Sequence, residues 1–447
     1  MQYHDQESTT SNQDLEKASA PDGSHSDIVE PTTKSEIPRG VNPWDPSQFP
    51  DGGLKAWLVV AGSFSCLFCS FGWINCIGIF QDYYQTHQLK EFSPSTISWI
   101  GSLEVALMLF GGLFVGRIYD NFGPRPLLIF GTFFHVFGLM MTSISTEYYQ
   151  ILLAQGICSP IGIACLFTPA TNSVVTWFMK RRAFAIGIVA SGSSLGGVIF
   201  PIMFNKLIAE VGFGWAMRIS AFLILAMLIF AILTVEPRMS PLPTPFKVSQ
   251  YTQALKEWPF VLTTISAFLF YLGLFIPINY IQTQAIEFGM EASLAAYLIP
   301  ILNAASIFGR VCPGYAADKI GKYNVNIITC FLSGIMCLAL WLPGNSNAAI
   351  IVFAALYGFS SGAFVSLLFA LIAQISDMRE IGMRSGFMCA ILAIPSLVSN
   401  PIGGALITHD HGQFRDVQIW AGVIMLAGAC MFVVTRTAMV GFRFVKV

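Results

Sequence analysis

Runs of apolar residues long enough to cross a bilayer recur along this chain and constrain it more than any other feature. About 20 apolar residues span the hydrocarbon core as a helix. Such runs begin near residues 56, 96, 127, 149, 183, 215, 260, 292, 325, 349, 385 and 417. Hydrophobic residues make up 54% of the sequence and charged residues 11%, against about a quarter charged in soluble domains. A water-soluble fold could not bury that much apolar surface. The predicted fold class is therefore an all-α polytopic membrane protein, with twelve transmembrane helices in two six-helix halves.

The domain division follows from where the apolar runs stop. Residues 1–50 are polar and lack the apolar core of a cleaved signal, and they read as a disordered cytosolic tail. The stretch from Glu236 to Trp258, with Pro237, Pro241, Pro243 and Pro245, separates the two sets of six. The expected units are a half over 51–235, a cytosolic linker over 236–258 and a second half over 259–447 with a short cytosolic C-terminus.

Lys and Arg favour the cytosolic side of short loops. With the N-terminus inside, the cytosolic loops collect Arg117, Arg125, Lys180, Arg181, Arg182, Arg238, Lys247, Lys256, Lys319, Lys322, Arg379 and Arg384, while Lys90, Lys206 and Arg415 are the exceptions. Both termini are thus expected in the cytosol. The plasma membrane is the expected location, a vacuolar or other organelle membrane the alternative.

A net charge of −1 provides no basic field for nucleic acid. The ten cysteines lie inside apolar runs, so Cys66 and Cys69, although spaced C-x-x-C, read as small apolar residues rather than a redox or metal pair. Neither a phosphate-cradling loop nor an HExxH or GxSxG constellation is present. The expectation is no enzyme activity, no cofactor and no metal. The partners are a small-molecule substrate, the lipid bilayer and protons as an option.

The two halves share a motif. Gly116-Arg-Ile-Tyr-Asp120-Asn-Phe-Gly123-Pro-Arg125 follows span 2, and Gly314-Tyr-Ala-Ala-Asp318-Lys-Ile-Gly321-Lys322 follows span 8. Each makes a tight turn whose Gly is available for positive φ. Each Asp is placed to accept hydrogen bonds from a neighbouring helix terminus, in a contact that breaks when the halves rock. Asp120, Gly123, Arg125, Asp318, Gly321 and Lys322 are the candidate gating residues.

These paired loops resemble the signature of the major facilitator superfamily. Asp51-Gly52-Gly53-Leu-Lys-Ala-Trp57, together with the segment from Trp177 through Lys180, Arg181 and Arg182 to Gly192, resembles the motifs of the monocarboxylate transporter family, particularly its fungal branch. The resemblance covers the chain from Asp51 onward. It implies alternating access, a monocarboxylate-like organic acid as substrate and a substrate-binding Arg in helix 8, here Arg310. Fungal relatives also include carriers that resemble exporters of secondary metabolites. The chain departs from the animal members, which place an Asp where this sequence has Ser306 and a Lys where it has Asn75, so their proton-coupling groups are missing.

Ionisable groups inside a bilayer are costly, and each is a functional hypothesis. Arg310 lies eight residues before Asp318, about 12 Å inside the boundary. Its guanidinium matches a carboxylate bidentately; the other reading is a snorkelling or paired structural Arg. Asn303, Asn75, Tyr271 and Asn279 are further substrate-binding candidates, with Pro277 expected to break helix 7 beside the cavity. Glu104, about 24 Å from the cytosolic end of its helix, is the proton-coupling candidate, or else a neutral or paired residue near the outer mouth. His135 reads as a packed helix residue, and Asn172, Gln374 and Asn400 as interhelical glue. The function expected is secondary or facilitative transport of a small organic solute, with metabolite efflux or a transport-dead solute sensor as alternatives.

Overall fold

The structure, a computed structural model, describes residues 48–239, 241, 243, 245, 249–443, 445 and 446. All but the last residues of the expected N-terminal tail, and Lys247, lie outside that set.

Among the described residues, eleven helical runs are long and apolar enough to cross a membrane. In chain order they are α1 (Leu54–Thr86), α2 (Pro94–Phe122), α3 (Pro124–Thr142), α4 (Tyr148–Trp177), the run Arg182–Thr234, α7 (Trp258–Glu287), α8 (Ala292–Ile320), α9 (Lys322–Trp341), α10 (Asn347–Gln374), α11 (Met378–His409) and α12 (Arg415–Val440). A straight helix over Arg182–Thr234 would be about 80 Å long, far more than a bilayer. It breaks at Gly212, where φ is 77° and ψ 165°, leaving α5 (182–211) and α6 (213–234). Twelve crossings result, as the apolar runs predict.

Polar side chains settle the irregular turns. At Ser70 α1 leaves helical geometry, and the Ser70 hydroxyl donates to the Cys66 carbonyl at 2.7 Å. The Asn75 amide likewise donates to the Phe71 carbonyl at 2.8 Å. The break expected at Pro277 does not occur, because α7 runs helically through it. A proline frees the carbonyl four residues earlier, here that of Gly273, and neighbouring helices bind the carbonyls on either side of it. Ser399 donates to the Leu272 carbonyl at 2.9 Å and Tyr357 to that of Leu274 at 2.7 Å.

Two seams join the halves, α2 on α11 and α5 on α8. Both are backbone-close. A Cβ on Gly116 would meet the Gly382 carbonyl oxygen at 2.0 Å, and one on Gly187 would meet that of Arg310 at 2.4 Å. The segment between the halves folds back on α2, where Tyr251, in the short helix Ser249–Ala254, donates to the Leu113 carbonyl at 3.1 Å. Large apolar residues such as Phe114, Phe133, Phe222 and Phe308 remain exposed, as befits surfaces that meet hydrocarbon rather than water.

Candidate functional site

Between the halves lies a small, partly open cavity with room for about one water molecule. Phe71 of α1 and Phe167 of α4 line one side; Tyr271 of α7, Phe364 and Phe369 of α10 and Met388 of α11 line the other. The rings touch edge to face around it, Phe71 to Phe167 with centroids 5.0 Å apart and Phe167 to Phe369 at 5.2 Å. Flat aromatic walls of this kind accept a planar or branched apolar body.

The cavity wall carries a phenol, Tyr271, and Arg310 acts on it from outside the wall. Tyr271 lines the cavity, and its hydroxyl sits beside Ser396 and within electrostatic reach of Arg310. Half-buried on α8, Arg310 reaches across the seam to α5. Its Nη1 donates to the Ala190 carbonyl at 2.6 Å and, in a short contact, to the Ser193 hydroxyl, while Nε donates to Ser306 at 3.2 Å. Nη2 makes no hydrogen bond among the described residues, which leaves one edge of the fork for an anion.

Other expected site residues separate. Asn303 donates to Asn75 Oδ1 at 3.2 Å, a further bond between the halves, but neither residue lines the aromatic cavity. Asn279 is exposed and donates to Asn400 at 2.5 Å, two turns along α7 from Tyr271. Glu104 is fully buried on α2 and also lies off the cavity wall. His135 is packed between Ser159, 2.9 Å from Nδ1, and the Cys69 carbonyl, 3.1 Å from Nε2.

The end of the bundle that carries the repeated loops is closed by crossed contacts. Asp120, at the end of α2, accepts from the backbone N–H of Gly382 at 2.9 Å and Met383 at 2.8 Å, in the first turn of α11. Asp318, at the end of α8, accepts from Ala183 at 3.0 Å and Phe184 at 2.8 Å, in the first turn of α5. Each carboxylate thus satisfies orphan amides at the positive end of a helix belonging to the opposite half. Gly123 and Gly321 follow with φ of 76° and 108°, the left-handed geometry a side chain would strain.

The bases of the repeat divide. Lys322 is close enough to Asp318 to attract it, but Arg125 is exposed and the cation facing Asp120 is Arg117. Arg117, three positions before Asp120, shares its helix face, whereas Arg125 lies five positions after it, beyond the Gly123 that ends the helix. Two further contacts close this end. Asp51 Oδ1 accepts from the amides of Met179, Lys180 and Arg181, and Asn172 of α4 exchanges hydrogen bonds with Ser385 of α11 at 2.9 and 3.0 Å.

Sequence reasoning missed Ser193, the Ala190 carbonyl and the aromatic walls. The small-residue run on α5 was the available signal for the first two. Nothing in sequence separates a cavity Phe from a lipid-facing one.

Residues 62–388 match the profile described as Major Facilitator Superfamily. "MFS-type transporter 1" of Ophiocordyceps sp. (strain BCC 1869) is 65% identical over 406 residues, covering 91% of this chain and 90% of that protein. The "Fujikurins efflux protein" of Gibberella fujikuroi is 46% identical, covering 89% and 86%. Among solved structures, the human organic anion transporter MFSD10 (TETRAN) superposes with a TM-score of 0.68 at 14% identity, over 85% of this chain and all of that one, 100%; at that identity the likeness concerns the fold.

Proposed function

The chain belongs to the Major Facilitator Superfamily and is a multi-pass membrane transporter; from that premise we propose that it exports a largely apolar secondary metabolite bearing an acidic or oxygen-rich group. The cavity carries this reading. Its walls are aromatic and aliphatic, the lining that small-molecule sites use to hold an apolar body, and a small hydrophilic acid such as lactate would leave those walls unmatched. Export is supported by the relative from Gibberella fujikuroi, a fujikurins efflux protein. The monocarboxylate-type reading rests on the loop motifs and on Arg310, and it is retained here as the acidic group of a larger molecule.

The bulk of the cargo would lie against Phe71, Phe167 and Phe364, with its acid turned to Arg310 Nη2. Arg310 also holds α5 across the seam, so an anion that draws the guanidinium away loosens a contact between the halves. The bases at the closed end support a cytosolic position for it, and the carrier is read as outward-facing in the plasma membrane with both termini inside.

The test uses sealed vesicles containing the purified protein and two labelled acids, 1-naphthoate and lactate. We expect saturable flux of 1-naphthoate about tenfold or more above that of lactate, because the ring system buries far more apolar surface. Equal flux of both returns the small-monocarboxylate reading. Flux of neither removes the organic-acid cargo.

A further inference from the structure

We propose that Glu104 is a proton-binding site, separate from the aromatic cavity and approached from the end of the bundle opposite the Asp120 and Asp318 contacts. Its purpose rests on the transport reading above; its place rests on independent geometry. The Glu104 side chain is wholly buried on α2. Gln155 of α4 donates from Nε2 to Glu104 Oε2 at 3.2 Å, and Tyr84 of α1 donates its hydroxyl to Gln155 Oε1 at 2.6 Å. Glu104 Oε1 is buried without a hydrogen-bond partner. Among the described residues no Lys, Arg or His pairs with it. The titratable groups that face it are Cys76 and Tyr84, both on α1.

A carboxylate ion sealed there would be a buried charge with one neutral donor and no counter-ion, an arrangement that costs several kcal/mol. The neutral acid fits the same surroundings. Two features point to exchange rather than a permanently neutral Glu. A narrow crevice touches Gln81, Tyr84, Gly101 and Gln155, and a small movement of these helices would bring water to the hydrogen-bonded chain that ends on Glu104. Gln155 is at the centre of a π-helical segment, Leu152–Cys158, a local widening that recurs at functional sites.

The step is simple. When a movement of α2 lets solvent past Gln155, hydronium gives its proton to the carboxylate, forming the O–H bond of the acid and leaving water, and the reverse step returns the proton to water as hydronium. Glu104 shares α2 with Gly116 and Asp120, the residues that dock on α11. Charging the acid favours whichever arrangement of α2 wets it, which couples the proton to the docking of the halves.

Infrared spectroscopy of the purified full-length protein, titrated with pH, tests the site without any transported compound. We expect the C=O stretch of a buried protonated carboxyl, lost in Glu104→Gln and fading in the unsubstituted protein as pH rises. Tyr84→Phe should shift that band without removing it. If Glu104→Gln does not fold, Glu104→Asp keeps the acid and should move the band. A spectrum that Glu104→Gln leaves unchanged at every pH overturns the proposal. In vesicles, a pH gradient should raise 1-naphthoate flux severalfold, and Glu104→Gln should make flux indifferent to the gradient; a variant that responds like the parent also overturns it. Absence of 1-naphthoate flux in the parent would count against the cargo, leaving the infrared result to decide Glu104.

Discussion

At the scale of single residues, Arg310 is the sharpest case. Its fork is partly committed to Ala190 and Ser193, so Arg310→Ala should remove both the anion contact and a tie between the halves. Arg310→Lys keeps the charge but not the fork. We expect 1-naphthoate flux to be lost in Arg310→Ala and its half-saturating concentration to rise about tenfold in Arg310→Lys, an effect of one charge-assisted hydrogen bond. A residue outside the spans gives a pH signature. Glu257 accepts two 2.6 Å bonds from Arg384, and this contact holds its carboxyl below the ordinary value of 4.5. Its stabilising effect is complete above that value and is lost as pH falls through the lower folded one. Melting temperatures across the acid range should therefore fall less steeply for Glu257→Gln than for the parent. Arg310, Asp120 and Asp318 were legible in sequence because a charge in an apolar run and a repeated motif both stand out. The hold of Gln155 on Glu104 was not, since it joins helices 51 positions apart through a neutral side chain with no pattern of its own.

At the scale of elements, the α2–α11 seam depends on absent side chains. A Cβ on Gly382 would meet the Gly116 carbonyl oxygen at 2.3 Å and Asp120 Oδ1 at 2.5 Å. Backbone atoms cannot step aside cheaply, and overpacking of this kind costs about 1–3 kcal/mol. Gly382→Ala should leave the helices intact by circular dichroism, yet a disulfide engineered from Asn172→Cys and Ser385→Cys across the closed end should form about tenfold more slowly. Helix existence was readable from apolar length alone. The break at Gly212 was readable only as a gap between two runs, because a single glycine makes it. The helical passage through Pro277 was hidden, since the contacts around it come from Ser399 and Tyr357 of other helices.

At the scale of the whole molecule, the closed end is held by an exchange: the first half supplies a carboxylate to α11 and the second supplies one to α5. Opening breaks both caps together. Asp120→Asn or Asp318→Asn should each raise maleimide labelling of Ser385→Cys about tenfold, the effect of about 1.4 kcal/mol lost from the closed state. The double substitution should raise it by about the product of the two if the caps act independently. A labelling rate unchanged in both single variants would mean that the caps fix the loops without holding the ends shut. The glycine seam has a further consequence for the return stroke. When the ends part, bare peptide carbonyls at Gly116 and Gly382 become wet, and no bulky group waits beside them to cover the gap. Closure must then drain a thin film of solvent before backbone can meet backbone, so the pace of resetting depends on water activity as well as on sequence, and excluded osmolytes should hasten it.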